Sequence, residues 1–181
     1  MPSPATVAEQ LCLNCGLCCN GVLFKDVELQ PGDDDGKLAA LGLPVTNRQS
    51  PIQNRQSQFP QPCAALCADN RCRIYADRPA RCREFECALF KSVATGGTEA
   101  SAALRTIRTA LQRANKVHKL LTALGDTDES LALSLRFKRT RRRIESAPPD
   151  EATADAFAEL SMAVHELNFL IGRDFYPGAT P

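Results

Sequence analysis

The sequence predicts a mainly α-helical protein with little β structure, in which a small, irregular, metal-stapled cysteine module precedes three amphipathic helices. Three observations carry that expectation. Nine cysteines lie between Cys12 and Cys87, and none follows. After Gly96-Gly97, apolar residues recur at the three-and-four spacing of helices. The length of 181 residues suits about one domain, or a small module with a helical extension. The division falls at 1–95 for the cysteine module and 96–181 for a helical region packed on it. With 44% apolar and 24% charged residues, chain-wide disorder is excluded. No apolar run approaches the roughly 18 residues of a membrane span.

Taken in order, Met1 to Gln10 lacks the basic segment and apolar run of a secretory signal, so a cytoplasmic location is expected. Cys12, Cys15, Cys18 and Cys19 follow as a tight string, in which the spacing Cys12-x2-Cys15-x2-Cys18 suits a tight turn that points sulfurs at a common centre. Val22-Leu23-Phe24 and Val27-Glu28-Leu29 read as short strands, and Pro31 to Gly36 as a turn-rich break. A short helix from Asp35 or Gly36 ends by Leu41, stopped by Gly42 and Pro44. Asn47-Arg48-Gln49-Ser50 repeats as Asn54-Arg55-Gln56-Ser57 without apolar periodicity, and 44–62 is read as an exposed insertion. Two copies of a seven-residue unit are too short for a solenoid.

Cys63, Cys67, Cys72, Cys82 and Cys87 form a second, spread group, within which Pro79 marks a helix start. Next come the three helices. The first carries Leu104, Ile107, Leu111, Ala114, His118 and Leu121 on one stripe. The second opens at Asp126, with Glu129 three residues on as a capping box, carries Leu133, Phe137 and Ile144, and stops before Pro148-Pro149. The third runs from about Asp150 to Ile171 with Phe157, Leu160, Val164 and Leu167 inward, and Gly172 as its stop.

Nine clustered cysteines without a secretory signal suit metal ligation better than disulfides, because cytosolic glutathione and thioredoxin keep thiols reduced. Packing as small hydrophobes explains one or two cysteines and fails for nine. The spacing serves a tetrahedral zinc or an iron–sulfur cluster equally. Adjacent residues aim their side chains apart, so Cys18 and Cys19 are expected to serve different centres, or one of them to bridge. Four thiolates around zinc leave about −2 of charge to balance. Arg71, Arg73, Arg78, Arg81 and Arg83 supply cations, only partly offset by Asp77, Glu84 and Glu86.

The strings Cys12-x2-Cys15-Gly16-x-Cys18-Cys19 and Cys72-Arg73-Ile74-Tyr75-x2-Arg78-Pro79-x2-Cys82-Arg83-x-Phe85-x-Cys87 together resemble the YkgJ-type cysteine-cluster proteins, the CxxCxxCC family of zinc- or iron-chelating domains. The resemblance covers about residues 12 to 90. It implies eight ligands, Cys12, Cys15, Cys18, Cys19, Cys63, Cys72, Cys82 and Cys87, and leaves Cys67 as the extra. The Asn/Gln/Ser-rich stretch before Cys63, and Ala64 where a proline is usual, depart from the family pattern without touching a ligand. The same domain occurs in flagellin lysine N-methylases. This chain is much shorter and has no glycine-rich phosphate loop.

Elsewhere, His118 and His165 read as packed or partly exposed side chains. Lys138, Arg139, Arg141, Arg142 and Arg143 read as a solvated helix face, with no interleaved aromatics to stack bases. The favoured function is a cytoplasmic metal-binding protein with zinc or iron, the iron as a cluster or otherwise, in a structural or sensory role. An iron–sulfur redox enzyme or accessory comes second, since a thiolate near arginines would be reactive through a lowered pKa. A zinc-dependent nucleic-acid module comes third. Metal ions are the expected partners, with a protein partner also compatible and no membrane.

Overall fold

Helix α1 (Val7–Cys15) stops where Gly16 turns the chain at φ +65°. The computed structural model describes residues 7–48, 56–147 and 150–176, and they form two compact units. Among the described residues, unit 1 holds those up to Cys15, 86–128 and those from Leu135 onward, and unit 2 those within 16–85 and 129–134. Among the described residues there are seven α-helices and one three-stranded sheet, the mainly helical class expected.

Unit 2 is built on that sheet. β1 (Asp26–Glu28), β2 (Thr46–Arg48) and β3 (Gln56–Pro60) lie antiparallel in the order β1-β3-β2, with Val27 opposite Phe59 and Thr46 opposite Gln58. Its core is Val27, Leu29, Leu38, Leu43, Phe59, Ala65 and Ile74, with half-buried Cys63, Cys72 and Cys82 packed against it. Helix α2 (Asp35–Ala40) brings Leu38 into this core and is capped by Asp34, whose carboxylate accepts from the Lys37 amide at 2.8 Å. A 3₁₀ turn (Tyr75–Asp77) and helix α3 (Ala80–Glu84) follow.

Two expectations are corrected here. Val22 to Phe24 form no strand, because the Val22 amide is held by the Asn20 side chain and the Leu23 amide by the Leu17 carbonyl. Within the stretch read as an exposed insertion, β3 is the central strand and Phe59 is 1% exposed. One apolar residue in Gln56 to Pro60 gives no period-two signal. Paired backbone groups on both sides and that one buried ring stabilise the strand instead. Residues 49–55, where the two repeat copies join, lie outside the described residues.

Unit 1 is helical. α5 (Ala100–Ala123) buries Ala103, Ile107, Ala110, Ala114, Val117 and Leu121. It packs on α7 (Glu151–Asp174), which buries Leu160, Ala163, Leu167, Leu170 and Ile171. Helix α1 packs on α5 and on α4 (Ala88–Ala94). α7 starts as expected, with the Asp150 carboxylate accepting from the Thr153 amide at 2.8 Å. It runs through Gly172 to Asp174, correcting the expected stop. Leu170, Ile171 and Phe175 are all buried there, which offsets the roughly 1 kcal/mol cost of a helical glycine.

The second helix is also corrected. α6 (Leu133–Glu145) begins seven residues later than Asp126. Asp126 is a buried acceptor rather than a cap, receiving Arg136 Nε at 2.9 Å and Arg139 Nη2 at 2.7 Å on Oδ1. The Arg136 side chain is 0% exposed. Its other nitrogens reach the Asp126 carbonyl at 2.6 Å and His118 Nδ1 at 2.8 Å. A guanidinium only donates, so His118 Nδ1 accepts and the ring carries its proton on Nε2. Pro148 and Pro149 lie outside the described residues.

Candidate metal centre

Backbone geometry places the second cysteine group within unit 2. Leu66 and Cys72 bridge antiparallel, the Arg73 amide donates to the Ala65 carbonyl, and the Cys67 amide donates to the Arg71 carbonyl, each of the latter two at 2.8 Å. The result is a small hairpin turned at Asn70, which has φ +60° and belongs to a residue type that tolerates this conformation. Cys63 precedes one arm and Cys72 sits on the other. Cys67 stands exposed at the tip. Cys82 joins the pair from α3, where its amide donates to the Pro79 carbonyl at 2.9 Å.

Cys63, Cys72 and Cys82 all pack against the same small core and carry no disulfide. They are near enough to sense each other's charge. Burial pushes the Cys63 thiol up, and the neighbouring Cys72 adds to this. The Ala65 and Leu66 amides, hydrogen-bonded to Cys63, and the Arg73 guanidinium pull the other way. Cys82 is pushed up to about 12, first by burial and then by Cys63, Cys72 and Asp33, with Arg78 opposing. The expectation of a thiolate lowered by arginines therefore fails at these two positions. Desolvation of the charged form outweighs the cations.

Those arginines are distributed unevenly. The Arg73 charge acts on Cys63 and the Arg78 charge on Cys82. Arg71 pairs with Asp69 at 3.3 Å, and Arg83 donates to the Arg78 carbonyl. Arg78 also lies 3.7 Å over the Tyr75 ring and donates to its carbonyl at 3.1 Å.

The first cysteine group divides between the units. Cys12 and Cys15 lie in unit 1, three residues apart on α1, on a helix rather than the tight turn expected from their spacing. Cys12 is exposed and Cys15 half-buried. Cys87 belongs to the same unit and caps α4, its sulfur accepting the Phe90 amide at 3.3 Å. Cys18 and Cys19 follow Gly16 in unit 2, where the Cys19 amide donates to the Gly16 carbonyl at 2.9 Å and the Cys63 amide to the Cys19 carbonyl at 2.8 Å.

Among the described residues, no three His, Cys, Asp or Glu side chains already stand as a metal-holding group. Protonated thiols such as Cys63 and Cys82 gain nothing by converging, whereas deprotonated ones gather on a cation that neutralises them. The donor set itself fits the metal. Soft sulfur ligands suit zinc and iron, amide donors aim at Cys63 and Cys87, and Arg73 and Arg78 supply compensating charge.

Sequence reasoning missed the helical setting of Cys12 and Cys15, for which Gly16 as a helix stop was the available signal. It also missed the amide donors to Cys63, which side-chain patterns do not report. Of the basic run on α6, Arg139 pairs with Asp126 and Asp128, Arg141 with Glu145, and Arg143 donates to the Leu124 carbonyl. No helix among the described residues is long and apolar enough to cross a membrane.

Compared with known families, residues 11–112 match the model of the CxxCxxCC family, described as a "putative zinc- or iron-chelating domain". No curated protein and no solved structure matches the chain.

Proposed function

Because the chain belongs to the CxxCxxCC family of zinc- or iron-chelating domains, we propose that its cysteines bind zinc or iron in two donor groups, one in each unit. The observation that carries this reading is the gathering of Cys63, Cys72 and Cys82 on one small core, with the Arg73 and Arg78 charges acting on Cys63 and Cys82. Cys19, whose carbonyl holds the Cys63 amide, supplies the fourth thiolate there. Cys12, Cys15 and Cys87 are the donors of unit 1, Cys18 lies beside Cys19 in unit 2 as the remaining one of the eight, and Cys67 at the exposed hairpin tip stays outside the set.

In unit 2 the metal is structural. Among the described residues the core cluster on its sheet is small, seven buried residues, and modules of this size gain from a staple. The residues' own work is to present sulfurs, to stabilise the thiolates by amide hydrogen bonds, and to offset their charge with two guanidinium groups. A reducing cytoplasmic setting keeps the thiols available. Cys12, exposed on α1, is the donor best placed for a sensory or labile role, since exposed thiolates exchange and oxidise first.

The test is anaerobic reconstitution of the full chain with zinc, or with ferrous iron and sulfide, followed by desalting and elemental analysis. Retention of at least one metal per chain is expected, colourless for zinc and brown for an iron–sulfur cluster. A chain that retains neither metal would overturn the reading.

A further inference from the structure

Unit 1 contains a second feature that metal chelation does not use. Asn14 of α1 and Ser101, Leu104, Arg105, Ile107 and Arg108 of α5 line an open cleft of about 300 Å³. Positions 101, 104, 105 and 108 form one helical face, because residues three and four apart are neighbours. Arg105 and Arg108 are both exposed. Among the described residues neither guanidinium has a hydrogen-bond or ion-pair partner. Two adjacent cations on one helix face repel each other, and an anion held between them removes that repulsion.

The rest of the lining agrees in chemistry. Ile107 is buried and Leu104 half-buried, giving an apolar floor. Ser101 and Asn14 are exposed polar groups at the rim. Asn14 Nδ2 donates one proton to the Gln10 carbonyl at 3.0 Å, which leaves its second N–H for a ligand. Ser101 lies in the first turn of a 24-residue helix, where the helix dipole also favours negative charge. All six lining residues fall inside the stretch 11–112 matched by the family model.

We propose that this cleft binds a small organic anion, a phosphate or carboxylate head group held by Arg105 and Arg108 with an apolar body resting on Leu104 and Ile107. The fork of each guanidinium suits bidentate contact with either oxyanion. The cleft does not depend on the metal reading, because its lining contains no proposed ligand.

The experiment titrates the full chain with phenyl phosphate, inorganic phosphate and benzoate, read by backbone amide shifts in a nitrogen-15 spectrum. Phenyl phosphate is expected to move the Asn14 and 101–108 resonances and to bind more tightly than inorganic phosphate, because only it covers the apolar floor. Benzoate binding more tightly than phenyl phosphate at the same resonances assigns the site to carboxylates. The doubly substituted Arg105→Gln, Arg108→Gln chain should keep the wild-type thermal midpoint, since both side chains are exposed, and lose at least about tenfold in affinity. Unchanged affinity in that variant, or shifts confined to other residues, would overturn the proposal.

Discussion

The amide of Cys63 donates to the carbonyl oxygen of Cys19 at 2.8 Å, joining two cysteines that stand 44 positions apart in the sequence. That bond needs no metal, so it fixes part of the unit 2 donor arrangement in advance. Gly16 makes it reachable. With φ +65°, and with an added Cβ 2.6 Å from Asn70 Oδ1, any side chain at this position is strained and must push the Asn70 amide aside.

The first prediction concerns which thiols matter. Replacing Cys63, Cys72 or Cys82 by Ser should lower bound metal and thermal stability together, because a four-thiolate site that loses one donor is filled poorly by water. Cys67→Ser should change neither, since Cys67 is exposed at the hairpin tip. Metal analysis and melting of the four variants check this. Equal metal loss in Cys67→Ser and Cys63→Ser would mean that the donor set is wrong.

The second prediction is a pair of opposite pH dependences. In the metal-free chain Cys63 is raised and Cys82 stands at about 12, so both are neutral thiols at pH 7. A raised thiol favours the fold below its unfolded value near 8.5, and that contribution is lost as pH rises through the folded value. The metal-free chain should therefore weaken above about pH 9. Metal must displace those protons, so affinity should instead climb between pH 6 and 8, by about tenfold per unit for each proton released. Competition with a chromophoric chelator across that range measures the slope. A flat profile would show that the bound sulfurs were already ionised.

Much of this architecture was legible beforehand, and the failures have physical causes. The stripe Ile107, Ala114, Leu121 on α5 is strictly periodic, so its helix was readable from spacing alone. Asp126 and Glu129 satisfied the capping-box pattern, but a buried guanidinium captured the carboxylate, a long-range partner that no local pattern encodes. Phe59 was hidden among glutamines and serines because a central strand stabilised by paired backbone needs few apolar side chains. The eight-cysteine assignment came from two distant motifs matching together. The amides that support Cys63 belong to the turn geometry after it and have no side-chain signature.

A third prediction tests the buried pair in unit 1. Asp126→Asn would leave the fully buried Arg136 charge without a counter-ion, a loss of about 3–5 kcal/mol. Burial alone would raise the Asp126 carboxyl, but hydrogen bonds from Arg139 and Arg136 outweigh it and hold the group below the usual carboxylate range. Its contribution is then complete above about pH 4, the unfolded value, and is lost as pH falls through the depressed folded value. Urea melts of wild type and Asp126→Asn from pH 7 down to pH 2 should show a gap that narrows only below about pH 4. A gap independent of pH would mean that the carboxylate's charge plays no part.

The last prediction returns to Gly16, where strain and crowding can be separated. Gly16→Ala places an L side chain at φ +65° and brings its Cβ to 2.6 Å from Asn70 Oδ1. The conformational part should cost about 1–2 kcal/mol whatever its neighbours. The steric part depends on Asn70, which holds its own left-handed position at φ 60°. Gly16→Ala combined with Asn70→Gly should recover the steric part and leave the conformational part, so the double variant should melt between wild type and Gly16→Ala. Bound metal should follow the same order, because Gly16 sets the turn that carries Cys18 and Cys19 and, through the Cys19 carbonyl, the Cys63 amide. A Gly16→Ala chain with wild-type melting and full metal content would show that this turn does not position the donors.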